Sequence, residues 1–127
     1  MLGFPTGVDG IWIELESNTV VLTLAGEFDA FSAPALEQAL ADGGLDVHDR
    51  FLADLSRVTF LDSTVLGLLV RAVREMAGRG GRARVVLPET TARRIFEITT
   101  LDRVLPVTGS RAEGIDELAA IDGSTRP

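Results

Sequence analysis

Residues 60–70 read FLDSTVLGLLV, a short polar triplet between the end of a strand-like run and the most apolar segment of the chain. Asp62 is a residue type that begins helices, because its carboxylate accepts hydrogen bonds from the free amides of the first turn. After it, apolar residues recur at helical spacing and charged residues fall on the other side. The apolar positions are Val65, Leu66, Leu69, Val70, Val73, Met76 and Ala77, and the charged ones are Arg71, Arg74 and Glu75. The stretch predicts an amphipathic helix that begins at Asp62 and carries Ser63 and Thr64 in its first turn.

Two alternating runs near the start of the chain predict a β-hairpin. Segments 11–16 (IWIELE) and 19–26 (TVVLTLAG) place apolar residues at every second position, which is typical of strands with one buried face. The positions predicted to be buried are Ile11, Ile13, Leu15, Val20, Leu22 and Leu24. Only Ser17 and Asn18 separate the runs, and so short a connection favours a tight antiparallel turn.

The remaining segments alternate between strand and helix patterns. The strand patterns lie at 50–60, 83–88 and 104–107, and the helix patterns at 33–42, 90–100 and 111–121. We expect Ser32 to cap the first of these helices. Such alternation after an opening hairpin predicts an α/β fold with a mixed, mostly parallel sheet of about five strands and about four helices. The length suits a single domain over residues 1–120, with a C-terminal tail at 121–127.

Composition narrows the classes of function. The chain has a net charge of −7 at pH 7, so we expect no direct binding to nucleic acid. All twelve cationic residues are arginine, which excludes the lysine-dependent Walker A loop and Schiff-base chemistry. The chain contains no cysteine, so a reducing compartment is allowed. The start lacks a basic segment and the longest apolar run spans residues 65–70, so we predict neither a secretory signal nor a membrane span, and expect a cytoplasmic location.

Catalysis and metal binding find little support among the polar residues. Ser63 would need a base to act as a nucleophile, but the only histidine, His48, lies in the acidic loop DGGLDVHD. No G-x-S-x-G elbow surrounds Ser63. His48 with Asp46 and Asp49 lacks the ligand number and spacing of a dedicated metal site. We therefore expect a protein that is not an enzyme and holds no metal or cofactor.

A different role suits the hydroxyls of Ser63 and Thr64. A helix that begins where a strand ends points its first side chains out of the domain, where another protein can reach them. Phosphorylation there would add a charge of about −1.5 to −2. The helix terminus itself tolerates an anion, but a partner packed over the same spot beside Asp62 would not. The triplet is a candidate for a modification that controls binding.

Four blocks of sequence together resemble the anti-sigma-factor antagonists of the STAS domain family. They are GEFD at 26–29, DLSRVTFLDSTVLG at 54–67, GGRARVVLP at 80–88 and RRIFEITTLDRVLPV at 93–107. The resemblance implies a small α/β domain that binds an anti-sigma factor, usually a serine kinase of the histidine-kinase-like ATPase type. It implies phosphorylation of Ser63, with Thr64 as an alternative acceptor. The unmodified protein would hold the anti-sigma factor, phosphorylation would release it, and a serine phosphatase would reset the switch.

The resemblance also implies a partner-binding surface around Ser63. Its expected members are Asp29, Ala30, Phe31, Ser32, Asp62, Ser63, Thr64, Thr100 and Leu101. Val65 departs from the family pattern DSSGLG, and we expect its β-branched side chain to add bulk beside the hydroxyls. Gly67 matches the second glycine of the family pattern. A glycine in the middle of a helix costs about 1 kcal/mol of helix stability relative to alanine, which predicts close packing of Gly67 against a neighbouring backbone.

Two alternatives remain beside this anti-anti-sigma factor. A non-switching STAS scaffold or accessory subunit, of a stress-signalling or lipid-transport complex, would share the fold and lack the phosphorylation. Direct binding of a nucleotide or other small ligand is disfavoured, because the chain has no glycine-rich phosphate loop and no lysine.

Overall fold

The computed structural model describes residues 2–5, 10–88 and 105–124, with side chains for 10–88 and 105–119. The strands are β1 (Leu2–Pro5), β2 (Ile11–Glu16), β3 (Thr19–Phe28), β4 (Arg50–Leu61), β5 (Arg82–Val86) and β6 (Val107–Thr108). The helices are α1 (Ala33–Asp42), α2 (Ser63–Gly78) and α3 (Arg111–Ser124). The predicted α/β alternation is confirmed.

The six strands of the described residues form one sheet in the order β1-β2-β3-β4-β5-β6. The first three pair antiparallel, and β3 to β6 pair parallel. Ser17 and Asn18 have φ angles of 51° and 62°, the left-handed pair that a tight hairpin turn requires. The prediction of a mixed sheet that opens with an antiparallel hairpin is confirmed.

The edge strand β1 is not predicted by the sequence patterns. Its four residues, LGFP, include a glycine and a proline, which are depleted in strands. An edge strand tolerates proline because one of its sides has no strand partner. Pro5 lies opposite Trp12 of β2, at the end of the pairing. The sheet therefore has one strand more than the five expected.

Three of the four predicted helices are α1, α2 and α3, and the one at 90–100 lies outside the described residues. α3 ends at Ser124, so its last turn overlaps the segment 121–127 predicted as a tail. β6 begins at Val107, where the strand predicted at 104–107 ends. No helix in the described part of the chain is long and apolar enough to cross a membrane.

Helices cover both faces of the sheet, and successive residues of its central strands point alternately to one face and to the other. Phe51 and Ala53 of β4 belong to the larger apolar cluster, under α1 and α2. Leu52, between them, packs with Ile115 and Leu118 of α3. Residues 51–55 are all buried, as expected of a parallel strand with helices on both sides. Both layers of helices thus depend on the same central strand.

Arg111 fastens the start of α3 to the opening hairpin. Its guanidinium bonds the carboxylates of Glu14 and Glu16, the latter at 2.9 Å, and the hydroxyl of Thr23 at 3.0 Å. Burial alone lowers the pKa of Arg111, but the hydrogen bonds and charges of Glu16 and Glu14 outweigh burial and raise it. Arginine is charged at any ordinary pH, so charge-assisted bonds hold α3 against the sheet.

Candidate functional site

The candidate site lies at the carboxyl ends of β3 and β4. These strands are parallel neighbours, and their last residues, Phe28 and Leu61, pair with each other. The amide of Asp62 continues the pairing by donating to the carbonyl oxygen of Phe28 at 3.0 Å. The loop into α1 and the start of α2 are therefore held side by side. This arrangement brings together the predicted site residues at 29–32 and 62–64.

Asp62 begins α2 as predicted. Its backbone is extended, with φ −92° and ψ 173°, and its carboxylate accepts a hydrogen bond from the amide of Val65 at 3.1 Å. Ser63 and Thr64 follow in the first turn, and both residues are exposed. The cap fixes the start of the helix, so these hydroxyls occupy a defined position at the surface.

Replacement of Asp62 by alanine is expected to destabilise the protein by about 1 kcal/mol, because the amide of Val65 loses its acceptor. Chemical denaturation at neutral pH measures this as a lower midpoint with an unchanged slope. Asp62→Asn is the matched control, since asparagine keeps an oxygen for the same hydrogen bond. Equal stability of Asp62→Ala and the wild type would show that the cap contributes nothing.

The loop before α1 is organised by Asp29. Its carboxylate accepts hydrogen bonds from the amide of Phe31 at 3.0 Å and from the amide of Ser32 at 3.3 Å, which folds the backbone into a turn. Ser32 occupies the N-cap position of α1, but its side chain makes no capping hydrogen bond. The prediction that Ser32 caps the helix with its hydroxyl is wrong, because that hydroxyl is directed to Asp29 at 3.4 Å.

This turn leaves Phe31 almost entirely in solvent. Its 94% exposure is the highest among the large apolar side chains of the described residues. Ala30, beside it, is also exposed. Because the amide of Phe31 is tied to Asp29, the ring projects from an ordered turn. Aromatic residues displayed in this way often anchor protein–protein contacts.

Val65 lies inside the protein. Its side chain is 0% exposed and belongs to the apolar cluster that α1 and α2 bury against the sheet. The prediction that Val65 adds bulk beside the hydroxyls is therefore wrong: it shares the buried side of α2 with Leu66 and Leu69, whereas Ser63 and Thr64 face outward. The departure from the family pattern changes the core and leaves the exposed surface unaltered.

Gly67 lies at the surface. A Cβ atom built on it would meet no neighbouring atom within 4 Å among the described residues. The predicted close packing of Gly67 against a neighbouring backbone is therefore not found among the residues that the structure describes. The location of Gly67 on the outer side of α2 is predictable from the sequence, because residues three and four apart lie on the same side of a helix. That spacing places Gly67 beside Ser63 and Thr64.

The other polar candidates lie elsewhere. His48 precedes β4 and Ser63 follows it, so the twelve residues of that strand keep them on the order of 40 Å apart. His48 Nδ1 instead lies 2.9 Å from the carbonyl oxygen of Gly44. In residues 10–88 and 105–119, no group of three or more His, Asp or Glu side chains is arranged to hold a metal. Thr100 and Leu101 lie outside the described residues.

Most of the chain matches the model of a known protein family. The model of the family described as "Mlab, STAS domain" matches residues 11–107. The chain therefore belongs to the STAS domain family, and the resemblance seen in its sequence is confirmed.

Individual relatives are named as antagonists of anti-sigma factors. The chain is 33% identical over 87 residues to the anti-sigma-F factor antagonist RsfB of Mycobacterium tuberculosis, a match that covers 68% of this chain and 70% of the relative. It is 30% identical over 102 residues to the anti-sigma-B factor antagonist of Listeria monocytogenes, covering 79% and 88%. Its fold is similar to the crystal structure of an anti-sigma factor antagonist from Mycobacterium paratuberculosis, with a TM-score of 0.78 and 28% identity, over 93% of this chain and 99% of that one.

Proposed function

We propose that this protein is an anti-anti-sigma factor. It binds an anti-sigma factor while Ser63 is unmodified and releases it when Ser63 is phosphorylated, and so regulates transcription that depends on a sigma factor. The observation that carries the proposal is the exposed hydroxyl of Ser63 in the capped first turn of α2. The named role of the relatives supports a partner of this class. The partner, a histidine-kinase-like ATPase, supplies the kinase activity, and a serine phosphatase restores the hydroxyl.

The binding surface combines one displayed aromatic ring with short polar side chains. Phe31 offers apolar area that is 94% exposed to solvent. Ser63 and Thr64 are small, so a partner can approach the start of α2 closely. The carboxylates of Asp29 and Asp62 are engaged with backbone amides of this chain. They act as supports that fix the ring and the hydroxyls in place.

A phosphate on Ser63 opposes binding through its charge. It adds about −1.5 to −2, next to the carboxylate of Asp62. A partner that covers Ser63 would have to strip water from both anions, which is unfavourable without paired cations. In the free protein the phosphate faces solvent and the amino end of α2, where anions are stabilised. Phosphorylation therefore weakens the complex without unfolding the domain.

Incubation with the cognate anti-sigma kinase, ATP and Mg²⁺ is expected to add one phosphate. Intact mass gives the number of phosphates, and fragmentation of the modified peptide gives the position. Ser63→Ala is expected to abolish the modification and Thr64→Ala to retain it. Modification that persists in Ser63→Ala and disappears in Thr64→Ala would identify Thr64 as the phosphorylated residue.

Binding of the same partner is measured in parallel. A complex that forms but accepts no phosphate would favour the non-switching scaffold or accessory subunit. Failure of both binding and modification would reject the proposed class of partner.

A further inference from the structure

A cavity of about 490 Å³ opens at the carboxyl ends of β5 and β6, beside the first turn of α3. Open α/β sheets commonly bind small ligands outside the carboxyl ends of their strands, and this volume falls within the range of ligand pockets. The cavity shares no residue with the proposed surface around Ser63. Its polar lining comes from Asp54, Ser56, Thr108, Ser110, Arg111 and Glu117.

Two buried side chains of this lining have hydrogen-bonding capacity that the described part of the chain does not use. Thr108 is 5% exposed, and its hydroxyl has no hydrogen-bond partner among the described residues. Oδ1 of Asp54 accepts hydrogen bonds from the amide and the hydroxyl of Ser56, at 3.0 and 2.7 Å. Oδ2 of the same buried carboxylate lies 3.9 Å from Nη1 of Arg111, beyond hydrogen-bond distance. Buried polar groups without a partner are unfavourable, so both favour a ligand that supplies one.

The two ends of the cavity have opposite electrostatic character. Asp54 supplies a carboxylate on β4, and its ion-pair partner, Arg111, already bonds the carboxylates of Glu14 and Glu16. That end of the cavity therefore favours a positive group. At the β6 end lie Ser110 and the first turn of α3, and the amino end of a helix stabilises an anion. A single ligand that carries both charges matches both ends.

The sheet sets the distance between the two ends. Asp54 pairs with Val86 of β5, and Val86 pairs with Thr108 of β6. Paired residues point to the same face of a sheet, and Val86 packs in the apolar cluster beneath α3. Neighbouring strands lie about 4.8 Å apart, so the Cα atoms of Asp54 and Thr108 are roughly 10 Å apart. An amino acid holds its amine nitrogen roughly 3 Å from its carboxylate oxygens, which leaves space for a hydrogen bond at each end.

We infer that this cavity binds a free α-amino acid in its zwitterionic form. The ammonium group donates a hydrogen bond to Oδ2 of Asp54, and the carboxylate accepts hydrogen bonds from the hydroxyls of Thr108 and Ser110. Val86, between Asp54 and Thr108, contacts the aliphatic part of the ligand. The chain has no glycine-rich phosphate loop and no lysine, which argues against a phosphorylated ligand, but an amino acid requires neither.

Thr108→Val tests the inference, and Thr19→Val is its matched control. Thr19 is also buried, and its hydroxyl likewise has no partner in the described ranges. It begins β3 and does not line the cavity. Neither substitution is expected to lower the Tm, because each removes a buried polar group that has no partner. Only Thr108→Val is expected to weaken amino-acid binding, by roughly tenfold or more, because the ligand carboxylate loses a hydrogen bond.

The standard amino acids, added one at a time at millimolar concentration, are the ligands to test. Amide chemical shifts in NMR spectra of the whole chain give the position and the Kd, and thermal unfolding without ligand gives the Tm of each protein. At least one amino acid is expected to shift the amides of Ser56, Gly109 and Ser110 in a saturable way. The matching amine without the carboxylate, and the matching acid without the amine, are expected to bind at least tenfold more weakly.

Four results would overturn the inference. The first is the absence of saturable shifts in the wild type with every amino acid, which holds whatever the stability of the variants. The second is equal binding of the amine or the acid alone, which would exclude recognition of a zwitterion. The others are Thr108→Val binding as tightly as the wild type, and equal losses of affinity in Thr108→Val and Thr19→Val. The proposed function does not depend on any of these results.

Discussion

Phosphorylation of Ser63 is expected to weaken the complex with the anti-sigma factor by about 2 to 5 kcal/mol, or roughly 30-fold to several thousand-fold. The magnitude is that of an unpaired charge in a desolvated interface. Ser63 is exposed and next to Asp62, so the phosphate creates such a charge as soon as a partner covers it. Ser63→Asp carries one negative charge and is expected to reproduce part of the loss. An aspartate in the first turn suits the helix dipole, so the fold is retained.

The affinities of five proteins, the unmodified wild type, the phosphoprotein and three variants, separate the effect of charge from other effects. Ser63→Ala is expected to bind like the wild type, because it adds neither charge nor bulk. Ala112→Asp places the same charge at an exposed position in the first turn of α3, which packs on the opposite face of the sheet from α2. It is expected to bind like the wild type as well. The switch mechanism is wrong if Ser63→Asp and the purified phosphoprotein both bind as tightly as unmodified protein.

Val65→Gly, which restores the glycine of the family pattern, is expected to cost about 3 kcal/mol of unfolding free energy. The estimate joins the loss of a fully buried side chain to the lower helix propensity of glycine. Val65 has 0% exposure within the main apolar cluster, so little rearrangement can refill the space. Against a typical total of about 5 to 15 kcal/mol, the loss is large.

Denaturant titration measures the stability of Val65→Gly, with Val70→Gly as the matched control. Val70 lies on the same helix but is only partly buried, so the same substitution removes less apolar contact. Below its unfolding transition, Val65→Gly is expected to bind the anti-sigma factor as the wild type does. A large loss of affinity at unchanged stability would place Val65 at the interface after all.

The parts of this fold that depend on interactions between residues close in the chain were predictable from the sequence. The Ser17-Asn18 turn depends on a connection of only two residues between alternating runs, and Asn18 is a residue type that tolerates a positive φ angle. The start of α2 depends on a carboxylate three residues before the amide that it caps. In both cases the interacting groups are close in the chain, so no tertiary information is needed.

The environment of the site depends on contacts that the sequence does not encode locally. Phe31 is an apolar residue type that is normally buried, and only the Asp29 turn displays it. The surroundings of Gly67 depend on which elements pack beside it, and no described part of this chain comes within 4 Å of a Cβ atom placed there. The hydroxyl of Ser32 does not make the predicted capping hydrogen bond to α1, because it is directed to the carboxylate of Asp29. Strand β1 contains Gly3 and Pro5, residue types that are rare in strands. It is therefore identified by its pairing with β2 and not by its sequence.

Val65 and Gly67 stand two residues apart on α2, and their opposite orientations have a consequence for evolution. Val65 faces the core, where most changes reduce stability towards the threshold that the cell tolerates. Phe31, Thr64 and Gly67 face outward, so each can change while the fold persists. Duplicated copies of such a domain can diverge at these positions until each recognises its own partner. Separate signalling channels then arise within one cell from a single ancestral fold.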